Sequence, residues 1–443
     1  MLIFIDNFIG RFDKHMQELL RGASIAFALK ILAACLAFGL NVLLARQLGA
    51  EGAGIFFLAF TIVLIVAAIG RVGMENVLVR FIAANVAAGK PGKVLGVYQK
   101  AMLFSLLVAA PLSTLLYLLA PWVSQVVFTK QELAQPLSVM AMAVVPLALL
   151  TLHAHALQGL KNIVAFISVM SVSVPMITCL IAAPFLFQYG VDAAAWSYLL
   201  ATILTLLVGR GMWQKATSLF EAQAVEFDNR ELLSSSQPLF GVVMLNIIIT
   251  WSPTLFLGVW ESSENVGIYS AANRTAMLTS FVLVAVNSIA APKFAALYQQ
   301  GEMEALGSVA RKSARIMVVL ASPALLLFLL IPEWILAVFG EQFKQGAVVL
   351  IILAIGQFVN VVTGSVGYLL MMSGNERLMR NNLLFCAILG IILSLWLVPH
   401  YGIVGGAVSA ALMLSMQNVI AVILVWKKLN IMTLPWVKSL PNN

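Results

Sequence analysis

Runs of about 20 apolar residues recur along the whole sequence and restrict the possible folds more than any other feature. A helix needs about 20 mostly apolar residues to cross the hydrocarbon core of a bilayer. The 443 residues are 62% hydrophobic and only 10% charged, whereas a soluble domain is about 25% charged. No stretch between the runs is long enough for a sizeable soluble domain. The sequence therefore predicts an all-α, polytopic membrane protein.

The apolar runs predict about twelve transmembrane helices. They lie at residues 23–45, 54–74, 97–120, 136–157, 163–187, 194–211, 238–259, 266–291, 315–337, 347–372, 382–398 and 405–426. Ahead of them, apolar residues recur at helical spacing in segment 1–22, which favours an amphipathic helix lying on the cytoplasmic leaflet. An ordinary polar leader is the alternative for this segment.

The distribution of lysine and arginine tests this topology. If segment 1–22 is cytoplasmic, 20 of the 26 Lys and Arg residues fall in cytoplasmic regions. Only Arg46, Lys130 and Lys344 fall outside. Cytoplasmic loops of membrane proteins carry an excess of basic residues, so both termini are predicted to face the cytoplasm. The net charge of +8 then reflects membrane topology, and we expect no nucleic-acid partner.

Two pairs of short motifs indicate an internal duplication. Gly54-Ile55-Phe56 matches Gly267-Ile268-Tyr269 at an offset of 213 positions, and Tyr189-Gly190 matches Tyr401-Gly402 at an offset of 212. Six spans per repeat give both halves the same orientation, so the repeats should be related by an axis along the membrane normal. The predicted divisions are a six-helix lobe at 23–215, a cytoplasmic linker at 216–237, a second six-helix lobe at 238–428 and a cytoplasmic tail at 429–443.

The sequence carries no motif for catalysis or for a cofactor. No P-loop, metal-ligand cluster or nucleophile motif is present, so we expect neither an enzyme nor a cofactor or metal site. All 18 acidic residues fall in predicted loops or at predicted helix ends, and Glu75 is the nearest candidate for a carboxylate-based ion site.

Three cations do fall inside predicted spans: Lys30, Arg71 and Arg274. Ionisable groups within a membrane are costly and commonly line a water-filled path. Each also has a structural alternative. Lys30 can snorkel to the inner interface, Arg71 can form a helix-end ion pair with Glu75, and Arg274 can pair with a polar neighbour.

Uncharged polar residues form stripes in the same spans and in others. Such stripes either line a polar cavity or join helices by hydrogen bonds, and the pattern leaves both open. The candidate cavity residues are Asn41, Asn246, Asn273, Gln357 and Asn360.

Five short segments occur in a fixed order along most of the chain. They are residues 45–54 (ARQLGAEGAG), 266–269 (VGIY), 339–343 (FGEQF), 373–377 (SGNER) and 401–407 (YGIVGGA). With these segments the chain resembles the polysaccharide-exporter family of the multidrug/oligosaccharidyl-lipid/polysaccharide (MOP) superfamily, the O-antigen-type flippases of lipid-linked oligosaccharides.

This resemblance implies two six-helix lobes around a V-shaped cavity in a bacterial inner membrane. It implies that the substrate is an undecaprenyl-pyrophosphate-linked glycan, moved from the cytoplasmic to the periplasmic leaflet by alternating access during surface polysaccharide biosynthesis. Membrane lipids and a polysaccharide polymerase are the implied partners. Lys30, Arg71 and Arg274 are the residues able to serve as the cavity cations that this family uses for the pyrophosphate.

Two other functions compete with this one. A drug/cation antiporter of the same superfamily relies on intramembrane carboxylates, and the first predicted span contains none. A membrane-embedded glycan-modifying enzyme, such as a polymerase, usually carries a large outer loop, and the predicted outer loops are short.

Overall fold

The structure, a computed structural model, describes residues 14–220, 225 and 227–436. All regular elements within these ranges are helical, as predicted. Residues 1–13 of the predicted amphipathic segment lie outside the described residues, as do parts of the predicted linker and tail.

Sixteen α-helices are described in these ranges, with short 3-10 or π-helical turns between some of them. The helices are α1 (Lys14–Arg71), α2 (Met74–Ala87), α3 (Pro91–Trp122), α4 (Ala134–Ala141), α5 (Val144–Gly159), α6 (Ile163–Ile167), α7 (Ser173–Ala182), α8 (Leu186–Thr217), α9 (Asn229–Trp260), α10 (Ser263–Ala276), α11 (Phe281–Gln299), α12 (Met303–Leu330), α13 (Pro332–Leu336), α14 (Ala347–Thr363), α15 (Val366–Met372) and α16 (Glu376–Leu429).

Eight helical stretches within the described residues are long and apolar enough to cross a membrane, or nine if the bent pair α4 and α5 forms one span. Two of these are too long for a single crossing. At about 1.5 Å per residue, the stretches Phe27–Arg71 (45 residues) and Glu376–Leu429 (54 residues) far exceed a hydrocarbon core of about 30 Å. Each covers two of the predicted spans. The count of twelve remains a prediction.

Glycines break the long helices near the predicted span ends. Gly49 has φ 69° and ψ −177° within α1. Gly190 in α8 and Gly402 in α16, which the duplication aligns, adopt the same conformation, with φ 55° in both and ψ of −134° and −135°. A positive φ favours glycine because a side chain would clash with its own backbone. The local backbone therefore agrees at the second pair of repeat motifs, and the full repeat remains a prediction.

The chain forms two compact units whose boundaries differ from the predicted lobe boundaries. Unit 1 comprises the described residues of Met1–Gln47, Ile62–Val126 and Gln131–Val243. Unit 2 comprises those of Leu48–Thr61, Val127–Lys130 and Met244–Asn443. The segment Leu48–Thr61 thus belongs with the second half of the chain, although it comes early in the sequence. The lobes at 23–215 and 238–428 remain a prediction.

The first pair of repeat motifs forms a close helix crossing inside unit 2. A Cβ atom on Gly54 of α1 would lie 1.8 Å from the carbonyl oxygen of Ser263, and one on Gly267 of α10 would lie 2.0 Å from that of Ala50. Each glycine thus faces the carbonyl four residues before the other glycine. Small residues let membrane helices approach this closely, so the motif is explained by packing.

Candidate functional site

Arg274 lies where the eighth predicted span is interrupted. It is in the last turn of α10, eleven residues after Ser263 and therefore about 17 Å along the helix axis. A 3-10 turn, Met277–Ser280, follows before α11 begins. A stretch of 3-10 helix inside a longer helix often marks a functional hinge or a strained position.

Aromatic rings hold the Arg274 side chain within unit 2. Its guanidinium carbon lies 4.4 Å from the ring centroid of Phe57 and 5.1 Å from that of Phe60, both on α1. Trp251 of α9 packs edge-on against Phe60 at 6.2 Å. An arginine over aromatic faces gains cation–π attraction, which is stronger when water is excluded. Phe57 is 1% exposed, so the base of this platform is rigid.

A second interrupted helix packs against α10 in the same unit. Helix α14 carries the predicted residues Gln357 and Asn360, both half-buried, and ends at Gly364, whose φ is 76°. Just beyond this end, the Ser365 hydroxyl donates a hydrogen bond to the side-chain oxygen of the buried Asn287 on α11. Packing between α14 and the 3-10 turn after α10 brings the two helix breaks into one region of unit 2.

The remaining predicted residues of unit 2 differ in exposure. Asn273 is 9% exposed and comes directly before Arg274 in α10. Asn246 on α9 is exposed, and its carbonyl oxygen accepts a 2.8 Å hydrogen bond from the Thr250 hydroxyl. Helix α10, which carries Asn273 and Arg274, packs against α14, which carries Gln357 and Asn360.

Lys30, Asn41 and Arg71 belong to unit 1. Lys30 is half-buried in α1, and Asn41 is 7% exposed in the same helix. Arg71 is the last residue of α1, and its Nε lies 3.4 Å from Glu75 Oε1 across the break before α2. The helix-end ion pair that was the alternative for Arg71 is therefore present, so this guanidinium is partly engaged by a neighbouring carboxylate.

Sequence reasoning missed the aromatic platform and two contacts that shape unit 2. Phe57 and Phe60 follow the glycine motif at i, i+3 spacing, which could have indicated a shared helix face. Gln342 Oε1 accepts a 3.1 Å hydrogen bond from the Ala50 backbone N–H, which follows the helix break at Gly49. Lys130 Nζ donates to the carbonyl oxygens of Gly258 and Glu261, at 2.6 Å and 2.7 Å.

Lys130 thus covers the C-terminal end of α9. Basic groups are favourable at this end of a helix because the last carbonyls lack helical partners. Burial lowers the pKa of Lys130, and the nearby Glu261 carboxylate partly opposes this effect. Lys130, which the charge distribution places on the outer side of the membrane, therefore has a structural role.

A model of a known family matches most of the chain. The model, described as polysaccharide biosynthesis protein, matches residues 19–298. The chain belongs to this family. A second model, MatE, matches residues 238–396. Together with the relatives below, these matches confirm the predicted membership of the MOP superfamily.

A curated relative and two solved structures extend the match. The probable low-salt glycan biosynthesis flippase Agl15 of Haloferax volcanii is 26% identical to this chain over 412 residues. The match covers 91% of this chain and 83% of the relative. An inward-facing multidrug resistance MATE family transporter superposes with a TM-score of 0.74 at 14% identity, covering 92% of this chain and 98% of that one. The lipid II flippase MurJ, inward closed, gives 0.71 at 13% identity, covering 91% and 87%. These two structures confirm the fold alone.

Three of the five segments that carry the family resemblance meet, wholly or in part, inside unit 2. Residues 45–54 and 266–269 contain the two glycines of the close crossing, and residues 339–343 contain Gln342. Their large side chains Tyr269, Phe339 and Phe343 are at most 1% exposed. These signature residues therefore build the fold, and the candidate site uses other positions.

Proposed function

We propose that this protein is a flippase that moves an undecaprenyl-pyrophosphate-linked oligosaccharide from the cytoplasmic to the periplasmic leaflet by alternating access. Surface polysaccharide biosynthesis is the proposed pathway. A single observation carries the proposal: a guanidinium within a predicted span, held on aromatic rings beside an interrupted helix. The match to a probable glycan biosynthesis flippase over 91% of the chain supports a flippase role in glycan biosynthesis.

The chemistry of a pyrophosphate explains why such an arginine is useful. Its negative charges must cross a low-dielectric region, where an unpaired ion costs many kcal/mol. A guanidinium stays protonated and can bind two phosphate oxygens at once through parallel N–H groups. Aromatic faces stabilise a cation by cation–π attraction and leave its charge in place. Arg274 is therefore the residue that we assign to the headgroup, with Lys30 and Arg71 as weaker contributors.

A cation-coupled antiporter is the second candidate, and Glu75 is the residue that distinguishes the two. This carboxylate is 6% exposed, and its Oε2 atom is buried with no hydrogen-bond partner within the described chain. Its other oxygen faces Arg71 at 3.4 Å. Arg71 and Glu75 therefore form an ion pair between two helix ends. Among the described residues, no second carboxylate lies within ion-pair distance of Arg71.

We expect Glu75→Gln to retain transport at a reduced rate. The amide oxygen can still accept a hydrogen bond from Arg71, so most of the local structure should survive. Transport is measured as export of glycan in a flippase-deficient strain, normalised to the protein level in the membrane. Complete loss of export with normal folding and membrane level would instead support carboxylate-based coupling.

The charge distribution also predicts the orientation of this flippase. We expect Ser262, Asn265 and Lys130 to be periplasmic, and Lys161, Arg311 and Arg377 to be cytoplasmic. Cysteines placed singly at these positions are labelled in intact cells with a membrane-impermeant maleimide, in a background that lacks the three native cysteines. Labelling at Arg311 without labelling at Ser262 would contradict the predicted orientation.

Reconstitution in vesicles tests the function itself. Purified protein is inserted into vesicles that carry a labelled lipid-linked oligosaccharide, and the label that becomes accessible at the opposite leaflet is measured over time. We expect translocation of the intact lipid-linked sugar. Efflux of small cationic drugs without lipid translocation would indicate the antiporter, and a change in the glycan's covalent structure would indicate the enzyme.

A further inference from the structure

A groove in unit 1 combines a polar end with an apolar end. It lies between helices α3, α5 and α8 and has a volume of about 490 Å³. All its lining residues belong to unit 1, whereas Arg274 belongs to unit 2. None of the residues proposed above for the substrate lines it, so it calls for a separate explanation.

Three rings build the polar end of the groove. The His153 Nδ1–H donates to the Leu149 carbonyl oxygen at 2.8 Å, which leaves Nε2 to accept from the Tyr98 hydroxyl, also at 2.8 Å. The Tyr98 ring stacks on Trp213, with centroids 4.2 Å apart and planes 17° apart. Because each ring is fixed by a neighbour, this wall is preorganised.

Arg210 supplies a positive charge at the same end. It is exposed on α8, three residues before Trp213, and lies close enough to Tyr98 and His153 to interact with them electrostatically. The two ion pairs formed between described residues elsewhere do not use it. Its neighbours in the groove, Gln99 and Gln214, are exposed amides that can donate hydrogen bonds. A cation beside neutral donors is suited to a phosphate.

The apolar end points along the helices towards the bilayer interior. Tyr98 comes seven residues after the start of α3, and Arg210 comes seven residues before the end of α8, so each is about 10 Å from the predicted cytoplasmic end of its helix. Leu103 and Leu106 lie deeper along α3 and are 53% and 41% exposed. Leucines this exposed on a membrane helix face acyl chains.

We infer that this groove binds an anionic glycerophospholipid of the cytoplasmic leaflet. Its phosphate lies at Arg210, Gln99 and Gln214, and one acyl chain lies along Leu103 and Leu106. The two ends of the groove fit a ligand that carries both a phosphate charge and a long apolar chain. A soluble phosphate compound lacks the apolar chain. The cytoplasmic leaflet carries anionic lipids that attract basic residues. The depth of Arg210 matches a headgroup at that interface.

The test measures lipid binding to the purified full-length protein. Delipidated protein in detergent is titrated with dioleoylphosphatidylglycerol, and bound lipid is counted by native mass spectrometry. We expect Arg210→Gln to weaken binding by about fivefold to tenfold, as expected for loss of one charged contact near the interface. Lys215→Gln removes the same charge from an exposed position on the same helix that does not line the groove, and should leave the affinity unchanged.

A second variant and two competing lipids keep the result interpretable. Gln214→Leu keeps the charge and removes one donor, so it should weaken binding by a smaller factor. Zwitterionic dioleoylphosphatidylcholine should bind more weakly than phosphatidylglycerol to the wild-type protein. Equal binding of the two lipids, or equal affinity of the Arg210→Gln and Lys215→Gln variants, would overturn the assignment. If undecaprenyl phosphate binds the groove in preference to phosphatidylglycerol and displaces it, the groove is a site for the substrate lipid instead.

Discussion

Arg274→Ala is expected to abolish glycan export while leaving the protein folded in the membrane. The substitution removes the guanidinium that lies 4.4 Å from the Phe57 ring and 5.1 Å from the Phe60 ring. Without this charge, the pyrophosphate would meet a low-dielectric region unpaired, at a cost of many kcal/mol. A loss of even 4 kcal/mol of transition-state stabilisation corresponds to a rate decrease of about a thousandfold. Export is measured by complementation of a flippase-null strain, with membrane levels checked by immunoblot.

Graded variants separate the charge from its geometry. Arg274→Lys should restore export only partly, because a lysine ammonium lacks the planar fork that binds two phosphate oxygens. Lys30→Ala and Arg71→Ala should impair export less, since Arg71 already faces Glu75 at 3.4 Å.

The aromatic platform supplies a matched control. Phe60→Leu keeps the charge and most of the apolar volume but removes one ring face, and should cause a moderate loss. If Arg274→Ala protein is present at the normal level and exports glycan at the wild-type rate, Arg274 has a structural role and the proposed headgroup contact is wrong.

Gly54→Ala and Gly267→Ala are each expected to prevent accumulation of folded protein. The added Cβ on Gly54 would lie 1.8 Å from the Ser263 carbonyl oxygen and 2.8 Å from the Gly267 nitrogen. The added Cβ on Gly267 would lie 2.0 Å from the Ala50 carbonyl oxygen. Backbone atoms cannot move aside as a flexible side chain can, so the helices must separate. Overpacking of this kind costs about 3 kcal/mol or more.

The matched control is Gly211→Ala in α8, where the added Cβ has no atom within 4 Å beyond the adjacent backbone of its own helix. This change should be neutral or slightly stabilising, because alanine is the better helix former. Membrane level and the thermal unfolding midpoint in detergent are the measurements. Because both glycines serve one crossing, the double variant should cost less than the sum of the single variants. Gly54→Ala protein that accumulates and melts like the Gly211→Ala protein would show that the crossing can relax.

The hydropathy pattern was sufficient for the helical class and for the approximate helix positions. It placed an interruption between the runs 23–45 and 54–74, and the structure has one at Gly49. The aligned glycines at positions 190 and 402 were found from sequence alone, and their backbone angles agree within 1°. Breaks inside predicted spans were missed, because the 3-10 turn at Met277–Ser280 lies within a segment that hydropathy treats as one continuous span. Hydropathy measures how favourably a segment transfers from water into lipid. It contains no information about the hydrogen-bond pattern of the helix.

The sequence by itself determined the membrane-embedded class, the family and the short list of intramembrane cations. The class follows from composition, the family from the order of short segments along the chain, and the list of cations from the high cost of charge in lipid. Only the tertiary structure decided how those cations differ. Arg71 has its partner four residues away, whereas Arg274 has its rings on α1, more than 200 positions earlier in the chain. A phenylalanine has the same hydropathy whether it faces lipid or supports a guanidinium. The distinction comes from the close crossing at Gly54 and Gly267, which brings the two helices into contact.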